Sequence, residues 1–475
     1  MRLDLPKHVH PGVERKSLRQ YWPLMPRRTR DRAAIRAQDK EIARLAVPAF
    51  AALISEPLFL LADAAIVGHL GVAQLAALGI AATVLQTVVG LFVFLAYGTT
   101  STVARNVGAG NQRGALSSGI DGLWLSLFIG ALAGGLVLAL APLVVDGFSP
   151  TPAVRDFAVT YLRIAALGVP ALLVMFAATG VLRGLQDTRT PLFVAVVANL
   201  VNIALNVLFV YGFDWGIAGS ALGTLAAQGA AGMVLAYVVV RGARRHSASL
   251  VPHRAGVGTA WRVGIPLMLR TVTLRAALLL ATYVAASLST TSLAAHQVAF
   301  TIWTFLTFAL DAIAIAGQAI TGRLLGAGDS AGTRAATRRM LTWGVVSGVA
   351  LGLMLIAVRP FLVPLFSPDA DVQRLLSAVL IVVALHQPVS GIVFVLDGVL
   401  IGAGDGRYLA VAGVVTSLTF VPMAMAVLWL DGGLIWLWWA FTGFMVVRMA
   451  TLVWRERSDD WLVLGGTAPS ARDAV

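Results

Sequence analysis

Residues 103–111 read Val-Ala-Arg-Asn-Val-Gly-Ala-Gly-Asn, and residues 321–329 read Thr-Gly-Arg-Leu-Leu-Gly-Ala-Gly-Asp. The second stretch lies 218 residues after the first, and the same offset maps many other positions onto each other. Arg44 and Pro48 recur as Arg262 and Pro266, and Leu75-Ala76-Ala77 as Leu293-Ala294-Ala295. Phe148-Ser149-Pro150 returns as Phe366-Ser367-Pro368, Pro170 as Pro388, and Gly184, Asp187 and Arg189 as Gly402, Asp405 and Arg407. Asp214 and Gly216 match Asp431 and Gly433 at an offset of 217, so one residue separates the copies near their ends. Ordered Pro, Gly, Arg and Asp at one offset mark a duplicated unit.

Each copy is built from long apolar runs. Of 475 residues, 58% are hydrophobic and 12% charged, against roughly 45–50% and about 25% in ordinary soluble domains. Twelve runs are long enough to cross a bilayer, starting near residues 44, 75, 117, 158, 191, 217, 260, 293, 340, 373, 408 and 433. The sequence therefore predicts an all-α polytopic membrane protein with twelve transmembrane helices in two six-helix lobes. Six is even, so both lobes enter the membrane in the same orientation, related by a pseudo-two-fold axis along the membrane normal. The expected organisation is a basic tail (1–40), an N-lobe (41–240), a linker (241–259), a C-lobe (260–454) and a second tail (455–475). This repeat type favours a transporter over a channel, with a cavity near midplane between rocking lobes.

The net charge is +13, and residues 1–40 hold eleven Lys or Arg against Asp4, Glu14, Asp31 and Asp39. Arg105, Arg113, Arg183, Arg189, Arg241, Arg244, Arg245, Arg254, Arg323, Arg334, Arg338, Arg339 and Arg407 all follow even-numbered spans. Arg155, Arg359 and Arg374 are the exceptions after odd-numbered spans. The positive-inside rule then makes both termini cytoplasmic. The basic tail has no nucleic-acid-binding motif behind it, so membrane orientation explains it and no nucleic-acid partner is expected. The first apolar run begins near Ile42, too late for a secretory signal, and reads as a retained anchor; Met25 is an alternative start. Trp215, Trp429, Trp436, Trp438 and Trp439 at span ends suit an outer aromatic belt. Cysteine is absent, which excludes disulfides and Cys-ligated metals.

An ionisable side chain in hydrocarbon costs at least ~2.5–3.5 kcal/mol, so each one is a functional candidate. Six stand out: Glu56 and Asp63 in span one, Arg270 and Arg275 in span seven, Asp311 in span eight and Asp397 in span ten. Glu56 and Asp63 lie two turns apart on one face, about 10 Å at 1.5 Å per residue, with Pro57 between them as a bend point. The N-lobe supplies no internal base for either. A carboxyl that is neutral when buried and charged when wetted carries protons, and the same group ligates a hard cation such as sodium. In the C-lobe, ion pairs would let Arg270, Arg275, Asp311 and Asp397 all stay charged. Asn199, Asn202 and Asn206 add amides in span five, for bridging helices or contacting a cation or substrate. His296 and Gln297 stand near the outer end of span eight, where a lone His reads as packing.

The stretches LADAAIVGHLG (61–71), VARNVGAGN (103–111), LRGLQDTRTP (182–191), LAAHQVAF (293–300), TGRLLGAGD (321–329) and LDGVLIGAGD (396–405) together resemble the multidrug and toxic compound extrusion (MATE) family, most of all its DNA-damage-inducible F (DinF) branch. The resemblance runs from about residue 41 to 454. It implies a secondary active efflux transporter of the cytoplasmic membrane, a cation-coupled antiporter exporting organic, cationic or amphipathic compounds by alternating access. It implies no enzyme activity, no cofactor beyond a coupling ion (H+ favoured, Na+ the alternative) and a monomer whose partners are a small-molecule substrate and the lipid bilayer. The family's span-one aspartate falls on Asp63. Its span-five Asn-then-Asp pattern falls on Asn202 and Asn206, so an amide stands in the acid's place, and a Tyr frequent one turn before the aspartate is Phe59.

Two rival readings carry weight. A lipid-linked oligosaccharide flippase wants a cationic cavity, which suits Arg270 and Arg275 but not Glu56 and Asp63. An intramembrane aspartyl protease would use a G-x-G-D motif such as Gly402 to Asp405, yet GAGD recurs at Gly326 to Asp329 and nearly so at Gly108 to Asn111, where Gly ends a helix.

Overall fold

The computed structural model describes residues 27–466, with side chains from Ile35 onward. The alternative start at Met25 and most of the basic tail lie outside the described residues. Among the described residues every regular element is helical.

The N-lobe comprises α1 (Arg27–Gly68), α2 (Val72–Leu91), α3 (Phe94–Gly108), α4 (Gln112–Asp146), α5 (Pro152–Ala166), α6 (Val169–Gly184), α7 (Arg189–Val207) and α8 (Gly216–Arg245). The C-lobe comprises α9 (Arg254–Leu288), α10 (Thr290–Gly326), α11 (Ser330–Phe366), α12 (Ala370–Leu385), α13 (Gln387–Ala403), α14 (Gly406–Trp429) and α15 (Gly433–Arg457). Ten helical stretches, with α2 and α3 counted as one, are long and apolar enough to span a membrane. The bent pairs α5–α6 and α12–α13 bring the spans to twelve. The bends measure 47° and 50° and fall at repeat-equivalent prolines, Pro170 and Pro388, each in the first turn of the helix after the break. Proline there removes an amide donor and forbids the continuous ladder.

Large apolar side chains such as Phe128, Phe193, Leu279 and Phe361 are exposed around the outside, as lipid-facing side chains are. Inside each lobe, helices cross on glycine. A Cβ on Gly134 would stand 2.6 Å from the Ala166 carbonyl oxygen, and on its counterpart Gly352 2.5 Å from that of Ala384. In lipid, where association rests on close packing rather than on apolar burial, such small residues hold helices together.

Several expectations are adjusted. The expected linker 241–259 is mostly helix: α8 runs to Arg245 and α9 resumes at Arg254, because an arginine-rich helix end is compatible with the C-terminal dipole. What remains, 246–253, is pinned to α4: the Trp124 indole donates to the Leu250 carbonyl (3.0 Å) and the His253 amide donates to Asp121 (2.9 Å). Trp215, Trp429, Trp436 and Trp439 are exposed, but Trp438 is buried between the rings of His296 and His386, so it belongs to the core rather than the belt. All three Gly-Ala-Gly motifs end helices, with Gly110, Gly328 and Gly404 at φ of 76°, 74° and 76°. Their glycines are caps, not parts of a protease site.

The lobes meet at the arginine-rich end. A Cβ on Gly326 would stand 2.0 Å from the Arg105 carbonyl oxygen, and a Cβ on Gly108 1.9 Å from that of Arg323. This reciprocity places the pseudo-two-fold axis between α3 and α10. Ion pairs flank it: Arg323 with Glu41 at 2.6 Å, and Arg339 with Asp39 through two bonds of 2.6 and 2.7 Å, with the Trp343 indole on the same carboxylate. Gln186 donates to the Ala319 carbonyl across the seam (2.9 Å).

Candidate functional site

Asp63 stands about one and a half turns from the end of α1 opposite that seam and is 3% exposed. Its Oδ1 accepts from Asn206 Nδ2 and from Ser220 Oγ, both at 2.7 Å. The Tyr161 hydroxyl lies beside the carboxylate, Ser220 and Thr224, and Asn202 Nδ2 donates to Thr224 Oγ1 at 3.1 Å. The Oδ1 atoms of Asn202 and Asn206 are buried with no hydrogen-bond partner among the described residues. Oxygens from α1, α5, α7 and α8 therefore converge in one packed cluster of neutral groups around a single carboxylate. Such a set suits a proton or a small hard cation, which takes oxygen ligands. No cluster of three or more His, Cys, Asp or Glu side chains that would hold a metal occurs among the described residues.

Local structure explains how the cluster closes. Gly223 carries no Cβ, and one would stand 2.1 Å from Asn206 Oδ1. Immediately after Asn206 the chain makes a π-helical turn, Leu208–Gly212. A π turn accommodates one extra residue, and this is where the repeat offset drops from 218 to 217. From it Tyr211 donates to the Ile66 carbonyl (2.7 Å), tying the turn to α1 just beyond Asp63. The C-lobe counterparts of Asp63, Asn206, Ser220 and Thr224 are Ala281, Ala424, Leu437 and Phe441, so the site exists in one lobe only. Sequence reasoning missed Tyr161, Ser220 and Thr224; the four-residue spacing of the last two, one face of one turn, was the available signal.

Glu56 is exposed. It lies on the stripe of α1 that carries buried Leu45, Ala49 and Asp63, opposite exposed Val47, Leu58 and Leu61, and so faces a gap inside the protein rather than the lipid surface. Asn199 donates to the Ser55 carbonyl beside it (3.1 Å). α1 runs unbroken through Pro57 in this structure.

The C-lobe polar residues divide. Asp397 is buried and bonded by Arg270, with Nε to Oδ1 at 3.0 Å, and by Arg448 at 3.0 Å. Arg448, from α15, was not among the expected residues. Asp311 lies within electrostatic reach of Arg183, Arg270 and Arg448, but at no ion-pair distance from them. Arg275 stands apart, exposed, with its guanidinium against Gly90 of the other lobe. Between the lobes an apolar groove of about 670 Å³, open to the outer surface where Phe128 and Leu132 are exposed, is lined by Phe92, Phe94, Trp261 and Met268 among others; ligand pockets are typically about 300–1,000 Å³.

The comparisons agree with this architecture. The chain is 31% identical over 449 residues to Protein DETOXIFICATION 44, chloroplastic, of Arabidopsis thaliana, covering 89% of this chain and 84% of that one. It is 28% identical to DNA damage-inducible protein F of Escherichia coli, over 90% of this chain and 95% of that protein. Its fold matches the crystal structure of the Vibrio cholerae MATE transporter VcmN in the bent form with a TM-score of 0.83 at 20% identity, covering 90% and 99% of the two chains. The MatE family model matches residues 48–208 and 266–426, one segment in each lobe. With the family model matched in both repeats and up to twelve spans among the described residues, the chain belongs to the MatE family of multidrug and toxic compound efflux transporters.

Proposed function

We propose that the protein is a cation-coupled antiporter of the cytoplasmic membrane that exports organic, cationic or amphipathic compounds by alternating access. The observation that carries this reading is Asp63, a buried carboxylate bonded only by neutral donors and surrounded by amide and hydroxyl oxygens. A buried charge with no counter-charge is expensive, and binding a cation relieves it. Protons are the favoured ion and sodium the alternative. The apolar interlobe groove supports a substrate with an apolar body, and the chain acts as a monomer.

The arginine-rich end is cytoplasmic on the positive-inside rule, so this structure is closed to the cytoplasm. Cation binding at Asp63 from outside bends α1 near Pro57, shrinks the N-lobe side of the cavity and releases substrate outward. The cation is discharged inward when the lobes rock. Such coupling requires that the cation bind the two states with different affinity. The flippase reading is weaker because Asp397 already engages Arg270 and Arg448, leaving few free bases for a pyrophosphate.

The test is dye efflux from vesicles under imposed proton or sodium gradients, comparing wild type with Asp63→Asn. Gradient-driven efflux that the substitution abolishes supports the reading and identifies the ion; undiminished efflux by the variant removes Asp63 as the coupling site.

A further inference from the structure

Beyond α15 the described residues stay on the protein. Residues 458–466 run back across the seam where the lobes meet. On the C-lobe side Trp461 is 1% exposed and its indole donates to the Glu456 carbonyl (3.0 Å). Arg334 pairs with Asp459, Arg455 bridges Asp405 (2.6 Å) and Asp460 (2.7 Å), and the Gly465 amide donates to the Leu325 carbonyl (3.0 Å). On the N-lobe side stands Arg105, fully buried. Its guanidinium donates to the carbonyls of Val463 (2.9 Å) and Gly465 (3.1 Å), and to that of Ala403 in α13. Gly466 lies over Ala109, where a Cβ would stand 3.3 Å from the alanine Cβ.

The repeat shows why this segment matters. Arg323, the counterpart of Arg105, pairs with Glu41. The position equivalent to Glu41 is Thr259, so the repeat does not carry an acid to that position beside Arg105. Carbonyls of the 458–466 segment and of α13 bond Arg105. Arginine holds its charge in any environment, so a buried guanidinium that loses its acceptors bears a desolvation penalty. The lobes cannot part between Gly108 and Gly326 without breaking these bonds.

We infer that residues 458–466 are a latch on the cytoplasmic gate, with Arg105 as its keeper, and that the latch releases Arg105 each time the gate opens. The inference rests on the alternating-access reading. It makes the C-terminal segment a control point for the cycle, since whatever lifts it favours the inward-open state.

The absence of cysteine makes the test direct. Ala109→Cys with Gly466→Cys places two thiols near the ~3.5–4.5 Å Cβ separation of a disulfide. Oxidised with copper phenanthroline in proteoliposomes, this variant should lose transport at least about tenfold and regain it on reduction; full transport by the cross-linked protein overturns the latch. A second arm needs no ion gradient. Spin labels at Gln112→Cys and Ala331→Cys, both exposed beside the gate, report its width, and ending the chain after Arg457 should raise the wide population several-fold. An unchanged distance distribution overturns the inference. A change in gate width without any gradient-driven efflux keeps the latch and rejects the antiporter instead.

Discussion

A Cβ on Gly398 would stand 2.4 Å from the Ala314 carbonyl oxygen, and Gly180 bears the same relation, at the same 2.4 Å, to the carbonyl of Ala96. The two contacts are repeat equivalents, one in each lobe. Gly184 and Gly402, one turn further along, abut the Thr100 and Gln318 carbonyls at 2.9 and 2.5 Å. Because backbone cannot yield as a side chain does, Gly180→Ala and Gly398→Ala should each destabilise by ~1–3 kcal/mol, the usual range for overpacking. Thermal unfolding in detergent measures this, and the two losses should be similar.

The Asp63 cluster makes a graded prediction. Asn206→Ala and Ser220→Ala each remove one neutral donor from a buried carboxylate, worth ~1.5–3 kcal/mol for a hydrogen bond to a charged group. Transport at limiting cation should fall about tenfold or more in each variant, and Asp63→Asn should abolish it. A Thr224→Val variant, which loses contacts to Asn202 and Tyr161 but none to Asp63 itself, should lose less. Initial rates of efflux against ion concentration separate the four.

Asp397 holds two arginines. Replacing it with Asn strands Arg270 and Arg448 inside the C-lobe, and breaking a buried pair costs ~3–5 kcal/mol. Arg275→Gln removes an exposed base with no ion pair among the described residues, so its effect should stay within about 0.5 kcal/mol. The melting temperature of the purified protein should therefore drop steeply for the first and hardly for the second. Equal drops would mean that Arg275 has a structural partner.

The gate predicts a conformational effect. Gly326→Val would press a branched side chain into the Arg105 carbonyl, so the arginine-rich end should no longer close. Labels at Gln112→Cys and Ala331→Cys should then report a wider separation in most molecules, with efflux lowered about tenfold or more. A wild-type distance distribution in this variant would place the gate elsewhere.

The fold was legible because its signals are long and repeated. Apolar runs of membrane length and the 218-residue offset both survive without any knowledge of contacts. The site was only half legible. Asp63, Asn202 and Asn206 stand out as charge or amide in hydrocarbon, whereas Tyr161, Ser220 and Thr224 are ordinary in membrane helices and gain meaning only when four helices bring them together. Arg448 escaped because it stands near a basic helix end, where arginine usually meets water. That both ends of the linker are helical was not legible, because Arg244 and Arg245 suit the last turn of a helix as well as a polar connection. The latch carries no sequence signal at all: Val463 and Gly465 serve through main-chain carbonyls, which every residue possesses.

The contact between Ala104 and Gly322 lies on the pseudo-two-fold axis, where a Cβ on Gly322 would come within 2.8 Å of the alanine methyl. In a pair of identical six-span chains, any residue on such an axis would face its own copy. Two alanines would collide there, and two glycines would leave a gap. A single covalent chain escapes that constraint, since each half mutates separately and a large residue can be matched by a small one. The asymmetric fit at the gate is thus something a symmetric dimer could not encode, and joining the two copies made it accessible.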